Sequence, residues 1–184
     1  MKKVVLLGDS IRLIGYGTVV PGLLEGRYKV WQPSDNCRFA SYTLRMLYDY
    51  RDELKNADII HWNNGLWDEC NLFGDSSFTP LEVYADTLKR IASILKNITD
   101  KVIFATTTPV TPLNPHNSNE TISKFNSAAV NVLAPLGVRI NDLYSLVLPK
   151  TDIYIRKDDN IHLTAEGCLA CARQVADEIK RIDS

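Results

Sequence analysis

The stretch VVLLGDS, residues 4–10, decides the fold class. Val4 to Leu7 is a run of four aliphatic residues, two of them β-branched, and Gly8 ends it, which is the pattern of a short buried strand. In an open α/β sheet, ligands bind in the crevice at the carboxyl ends of the parallel strands. Ser10 is therefore predicted to lie at a ligand-binding edge, unless Asp9 and Ser10 only cap the next segment. The tripeptide alone leaves both interpretations open.

Strand-like and helix-like segments alternate along the rest of the chain. Strands are predicted, in chain order, at 3–7, 28–32, 57–62, 101–106 and 137–143. Helices are predicted at 41–54, after a capping box at Thr79-Pro80-Leu81-Glu82, after a second capping signal at Asn117 and Glu120, and from about Thr164. This alternation predicts an α/β fold with a parallel sheet covered on both faces. Because no linker, repeat or low-complexity tract interrupts it, we expect one domain over 1–184.

Composition and charge exclude several classes of partner. The formal net charge is -1 and no basic run occurs, so we expect no nucleic-acid partner. No apolar stretch approaches the ~20 residues of a membrane span. The apolar run after Lys2 and Lys3 is also shorter than the roughly 7–15 residues of a secretory signal. These features predict a cytoplasmic protein that does not enter membranes, provided that no leader has been removed.

Two of the four cysteines form the motif CLAC at 168–171, which occurs in zinc and redox sites. This pair falls in an amphipathic helical pattern, and no second close pair completes a tetrahedral zinc site. Buried cysteine behaves as a small hydrophobic residue. We therefore interpret Cys168 and Cys171 as packing residues and expect no metal.

The segment RKDDNIHLTAEG, 156–167, contains Asp159 and His162 three residues apart, just before the last predicted helix. A serine hydroxyl is a weak nucleophile until an imidazole takes its proton, and a carboxylate fixes the tautomer of that imidazole. Ser10 and His162 are distant in sequence, but both can lie at the carboxyl edge of one sheet. A D-x-x-H motif alone is weak because such residues also cap helices. Together with Gly-Asp-Ser in a five-strand α/β pattern, it is a much stronger signal.

At these positions the sequence resembles the GDSL-like esterases and lipases, also called SGNH hydrolases. The resemblance covers nearly the whole chain and depends on GDS at 8–10, FNSAAVNVLAPLGVRINDL at 125–143 and DNIHLTAEG at 159–167. It implies Ser10 as nucleophile, His162 as general base and Asp159 as the partner that orients it. It also implies a three-layer flavodoxin-like fold with strand order 2-1-3-4-5, and ester or thioester hydrolysis without metal or cofactor.

The resemblance is weaker in the two blocks that supply the oxyanion hole. The family usually has a glycine after strand two, and NCRFASYT at 36–43 has Ser41 there, which keeps a backbone donor at a helix N-terminus. After strand three the family has G-x-N-D, whereas this sequence has NNGLWD at 63–68. Aligning the glycine and aspartate puts Trp67 in the position of the family asparagine. We favour Asn64 as the side-chain donor, with Asn63 and Trp67 as alternatives.

We therefore expect a serine esterase acting on a small acyl ester, and the resemblance to the family makes a carbohydrate O-acetyl group the leading substrate. A thioesterase or lysophospholipase could use the same three residues. A non-catalytic binding module that kept the fold is an alternative of another class, motivated by the altered NNGLWD block. A nucleotide-binding flavodoxin-like protein is disfavoured, because the loop after strand one lacks a glycine-rich phosphate cradle. The sequence does not indicate the oligomeric state.

Overall fold

The computed structural model describes all residues, 1–184, and is built around one five-stranded sheet. Every neighbouring pair of strands is parallel, and the order is β2-β1-β3-β4-β5. This confirms the predicted α/β class, the parallel sheet and the order 2-1-3-4-5. The strands are β1 (Lys2–Leu7), β2 (Tyr28–Trp31), β3 (Ile59–Asn63), β4 (Val102–Ala105) and β5 (Arg139–Asn141).

Helices cover both faces of the sheet and complete the three layers. No helix combines the length and the apolar composition needed to cross a membrane. Short π- and 3-10-helical turns occupy 11–18, 134–136 and 148–150. The α-helices are α1 (Val20–Leu23), α2 (Ala40–Asp49), α3 (Arg51–Leu54), α4 (Leu81–Lys96), α5 (Asn119–Leu133), α6 (Leu143–Val147), α7 (Thr151–Tyr154) and α8 (Ala165–Asp183).

Strand β1 shows why the first apolar run has no polar alternation. Val4 and Leu6 pack into one apolar core beneath α1, α6 and α8. Val5 and Leu7 pack into the second core beneath α2, α4 and α5. All four side chains are buried, and each burial stabilises the fold by about 1.5–3 kcal/mol. A strand with helices on both faces has no solvent-facing side, so it reads as a continuous hydrophobic run.

The predicted helix at 41–54 is interrupted. It forms as α2 and α3, with Tyr50 between them at φ -102° and ψ 21°. The apolar spacing continued across this break, so periodicity did not reveal it. The last helix begins as predicted, because the Thr164 side chain accepts a hydrogen bond from the backbone N–H of Gly167.

Neither Thr79 nor Asn117, the residues predicted to cap the helices at 79–82 and 117–120, caps its helix in the structure. Helix α4 follows Pro80 without any side-chain cap, and the Thr79 side chain instead lies against the Asp68 carboxyl. Helix α5 is capped by Ser118, which accepts a hydrogen bond from the Thr121 N–H at 3.1 Å. In both cases the side chain that was predicted to cap the helix instead bonds to the loop after β3. Thr79 bonds to Asp68, and Asn117 donates to the Leu66 carbonyl at 3.0 Å.

Candidate active site

Ser10 lies directly after β1, at the start of the π-helical turn Ile11–Gly15. The turn is possible because Gly8 approaches the neighbouring strand very closely. A Cβ atom on Gly8 would lie 2.0 Å from Oδ1 of Asn63, so only glycine fits there. The chain therefore leaves the sheet sharply and presents the Ser10 hydroxyl at its carboxyl edge.

A buried arginine holds this turn in place. Arg12 is fully buried, and its guanidinium donates to the carbonyls of Pro33 at 2.7 Å, Gly8 at 3.0 Å and Asp35 at 2.7 Å. The turn is thus tied to the loop that follows β2. Beneath it, Asp9 accepts a hydrogen bond from the Ile11 N–H at 2.9 Å. Burial raises the pKa of Asp9, although a hydrogen bond with Asn63 opposes the shift.

The three residues predicted as a triad meet at this edge. Nε2 of His162 lies 2.8 Å from Oγ of Ser10, and Nδ1 lies 3.0 Å from Oδ2 of Asp159. In the tautomer with its proton on Nδ1, the imidazole donates to Asp159 and accepts from the Ser10 hydroxyl. Residues separated by 152 positions therefore form one continuous hydrogen-bonded chain. The arrangement can move a proton from the serine hydroxyl to the imidazole.

Asp159 is held in its charged form by the loop that carries it. Oδ1 accepts the backbone N–H groups of Ile161 at 3.0 Å and His162 at 2.9 Å. Burial acts to raise the pKa of Asp159, but these two N–H groups and the His162 ring outweigh it, and the pKa is lowered. Ionised Asp159 can therefore orient the imidazole and stabilise it when it becomes positively charged.

The loop before α8 is itself fixed by contacts that carry no obvious sequence signal. Arg156 donates its N–H to the His162 carbonyl at 2.8 Å, and its Nε lies 3.6 Å from Oδ2 of Asp159. Asn160 adopts a positive φ of 62°. Thr111 binds it twice, through the N–H to the Asn160 carbonyl at 3.2 Å and through its hydroxyl to Oδ1 at 2.7 Å. The loop after β4 therefore fixes the geometry of the acid and the base.

Two backbone N–H groups in the turns that follow β1 and β2 are free. The N–H groups of Ser10 and Ser41 stand at the starts of helical turns, where backbone donors have no intrahelical acceptor, and neither makes a hydrogen bond. The loop before α2 is brought to this edge because the Cys37 N–H donates to the Gly8 carbonyl at 3.1 Å. Asp68 fixes the first turn of α2 by accepting the Ala40 N–H at 3.0 Å. These groups can supply donors to a developing oxyanion.

The two asparagines at the end of β3 both make contacts elsewhere. Oδ1 of Asn63 accepts the Tyr16 hydroxyl at 2.8 Å, and the Asn63 side chain also hydrogen-bonds Asp9. Asn64 is fully buried, and its Nδ2 donates to the Arg38 carbonyl at 3.0 Å and to the Thr43 hydroxyl at 2.8 Å. Both amide hydrogens of Asn64 thus hold α2 and the loop before it. These contacts do not support the preference for Asn64 as the oxyanion donor.

Trp67 is placed differently from the two asparagines. Its side chain is 40% exposed, and its indole N–H has no hydrogen-bond acceptor in the structure. It lines a cavity of about 310 Å³ together with Leu66, Leu72, Ile161 and Asp159. Of the three predicted candidates, Trp67 is therefore the one with a free donor, and it lines a cavity that Asp159 also lines.

Burial raises the pKa of two carboxyl groups in the loop after β3. The pKa of Asp68 rises to about 7, although the Ala40 N–H opposes the shift. The pKa of Glu69 also rises to about 7, although a hydrogen bond from Asn117 opposes it. Both side chains are at least 99% buried, and each serves as an anchor for a neighbouring segment. Neither belongs to the hydrogen-bonded chain of Ser10, His162 and Asp159.

His61 is buried in β3, away from this chain. Its Nε2 lies 3.1 Å from Nδ2 of Asn141, and its ring packs edge-on against Tyr16 with centroids 5.6 Å apart. Burial lowers the pKa of His61 to about 3, so the ring is neutral near pH 7.

Comparisons with known proteins agree with this architecture. No protein-family model and no curated protein matches the sequence, but solved structures match over almost the whole length. A lipase/acylhydrolase from Enterococcus faecalis is similar at 21% identity with a TM-score of 0.79, over 98% of this chain and 96% of the other. The chain has the SGNH hydrolase fold.

Two acetyl xylan esterases share the SGNH hydrolase fold with this chain. One is similar at 18% identity with a TM-score of 0.74, over 97% of this chain and 98% of the other. A catalytic mutant of an acetylxylan esterase from Geobacillus stearothermophilus is similar at 18% identity with a TM-score of 0.78, over 97% of this chain and 94% of the other. The fold that the GDS and DNIHLTAEG blocks predicted is therefore confirmed.

Proposed function

We propose that the protein is a serine esterase that cleaves small acyl esters through an acyl-enzyme intermediate. The observation that carries this proposal is the hydrogen-bonded chain from Ser10 through His162 to Asp159, with contacts of 2.8 Å and 3.0 Å. Such a chain is what nucleophilic catalysis by serine requires, because the hydroxyl must lose its proton as it attacks. Solved structures of the same fold include catalytic mutants in which a serine or a histidine is replaced by alanine.

The proposed reaction has two halves. In the first, Oγ of Ser10 attacks the ester carbonyl carbon while its proton moves to Nε2 of His162. The tetrahedral intermediate collapses, the bond to the alcohol oxygen breaks, and the alcohol leaves with that proton. In the second, His162 takes a proton from water, the hydroxide attacks the acyl carbon, and the free acid leaves as Ser10 regains its proton. Asp159 stabilises the imidazolium in each half.

The cavity beside Asp159 and proteins of the same fold support a proposal for the substrate class. A cavity of about 310 Å³ beside Asp159 lies at the small end of ligand pockets, which suits a short acyl group. Two proteins of this fold are acetyl xylan esterases. We therefore propose an acetyl ester of a carbohydrate as the substrate of this chain.

Two measurements test the proposal. Purified protein should hydrolyse p-nitrophenyl acetate, and a serine-directed phosphonate should label Ser10, as located by mass spectrometry of the digested protein. Labelling should block hydrolysis in proportion to occupancy. A folded protein that neither reacts with the phosphonate nor hydrolyses short-chain esters is the non-catalytic binding module instead. Labelling at another serine would show that this other serine, and not Ser10, is the nucleophile.

The oxyanion donor gives a second prediction. We propose that the indole N–H of Trp67 acts with the backbone N–H groups of Ser10 and Ser41. Loss of one oxyanion donor lowers kcat by a factor of about 10²–10³. The kcat of Trp67→Phe should therefore fall by a factor of that size, with little change in melting temperature. Asn64→Ala removes two buried structural hydrogen bonds and should mainly lower the melting temperature. If Asn64→Ala alone shows the kinetic loss, the amide is the donor and Trp67 is not.

A further inference from the structure

A second cavity adjoins the one lined by Trp67 and Asp159 and has a different chemical character. It has a volume of about 320 Å³, and it lies between the loop after β3 and the segment 114–121. None of its nine lining residues is hydrophobic. By contrast, five of the ten residues around the cavity beside Asp159 are hydrophobic. The two cavities are therefore suited to different parts of a ligand.

The two cavities share a wall. The segment 114–117 lines the polar cavity and also the cavity that contains Trp67 and Asp159. This wall is held firmly, because the Asn71 N–H donates to the His116 carbonyl at 2.8 Å and Asn117 donates to Glu69. The polar cavity is therefore adjacent to the cavity that Asp159 lines, along the segment 114–117.

Several polar groups around the polar cavity have no partner in the protein. The Ser77 hydroxyl and the His116 ring make no hydrogen bond, and Nδ2 of Asn71 is free while its Oδ1 accepts the Gly74 N–H. Glu69 is 99% buried, and its Oε2 is also unpartnered. Water can satisfy the accessible groups of Asn71, Ser77 and His116 in the free protein, and a polar ligand can take the place of that water.

The polar groups around this cavity indicate the chemical class of ligand that it suits. Hydroxyl, imidazole, amide and carboxyl groups together offer both donors and acceptors, which a sugar hydroxyl can satisfy in both directions. No lysine or arginine lines the cavity, so it does not suit an anion. The absence of hydrophobic lining disfavours an alkyl chain. The chemistry therefore matches a neutral ring that carries several hydroxyl groups.

We propose that this polar cavity, lined by Glu69, Asn71, Ser77 and His116, binds the sugar ring of an acylated carbohydrate whose ester lies at Ser10. The proposal rests on the proposed esterase function and adds to it the place where the alcohol part is recognised. It predicts that substitutions in the cavity change the preference between a sugar ester and a simple ester that cannot reach it.

The test compares kcat/KM for an acetylated xylooligosaccharide with kcat/KM for p-nitrophenyl acetate. Ser77→Ala should lower the ratio of these two values by roughly 2- to 12-fold, the equivalent of one lost hydrogen bond. Asn71→Ala should lower it by a similar factor, because Asn71 lines the polar cavity and not the cavity beside Asp159. Ser76→Ala is the matched control, since Ser76 is exposed and does not line the cavity. A ratio that stays unchanged in both cavity variants overturns the proposal.

A binding measurement separates this inference from the esterase proposal. Ser10→Ala protein labelled with ¹⁵N is titrated with xylobiose and, separately, with cellobiose, so that no turnover is needed. We expect amide shifts concentrated at 69–77 and 114–121 that weaken in the Ser77→Ala double variant. Shifts there from a protein that fails to hydrolyse esters would support the sugar site while rejecting the esterase. No shifts with either disaccharide would reject the sugar site whatever the hydrolysis assay shows.

Discussion

Replacing Ser10 with alanine should remove almost all ester hydrolysis. In the proposed mechanism the Ser10 hydroxyl forms the acyl-enzyme, and no neighbouring group can take over, because the other partner of His162 is the Asp159 carboxylate. Deletion of the nucleophile in a comparable serine hydrolase lowers kcat by about 10⁶. We expect a loss of that order for Ser10→Ala, measured as kcat on p-nitrophenyl acetate.

The folded state should survive this change. Ser10 makes no side-chain hydrogen bond other than that to His162, and the turn is held by Arg12 and Asp9. The melting temperature and the circular dichroism spectrum should therefore match those of the parent protein. Ser34→Ala, at an exposed serine in the loop after β2, is the control and should keep full activity. Substantial turnover by folded Ser10→Ala would show that another residue is the nucleophile.

The fold could be predicted because its signals are local. The run at 4–7 is continuous and apolar since both faces of β1 are covered, and the same reasoning applies to β3 and β4. The helix caps at 79 and 117 were misplaced for the opposite reason. The side chains of Thr79 and Asn117 bond to the buried carboxyl groups of Asp68 and Glu69 instead of capping the helices. These carboxyl groups are in reach only once the loop after β3 has folded.

In the candidate site, too, some residues could be located from the sequence and others could not. The positions of Ser10, His162 and Asp159 follow short motifs, each within a single loop, and the parallel sheet brings those loops to one edge. The side-chain oxyanion donor that we propose, Trp67, was not the residue favoured from the sequence, because only the folded structure shows that Asn64 turns toward Thr43 and the Arg38 carbonyl. No sequence pattern indicated that Arg12 would be buried, although its side chain links the Ser10 turn to the loop after β2.

Asp159→Asn should be nearly as damaging as loss of the nucleophile, for an electrostatic reason. An asparagine can still accept the N–H groups of Ile161 and His162, so the loop should keep its shape. It lacks the negative charge that stabilises an imidazolium, and its amide can turn a donor toward Nδ1 and so favour the wrong tautomer of His162. The corresponding substitution in a serine protease lowers kcat by about 10⁴, and we expect a loss of that order on p-nitrophenyl acetate.

The adjacent Asp158 provides a matched control for this experiment. Asp158 is exposed and binds Arg156, whereas the Nε of Arg156 lies 3.6 Å from Oδ2 of Asp159. Asp158→Asn removes one surface charge and one surface ion pair, which contributes about 0–1 kcal/mol, so kcat should stay within a few-fold of the parent value. If Asp158→Asn instead causes the large loss and Asp159→Asn does not, the imidazole is oriented by a different carboxylate from the one that contacts it in the structure. If both variants keep most of their activity, His162 acts without a carboxylate partner, and the hydrogen bond from Nδ1 to Asp159 serves only to hold the loop before α8.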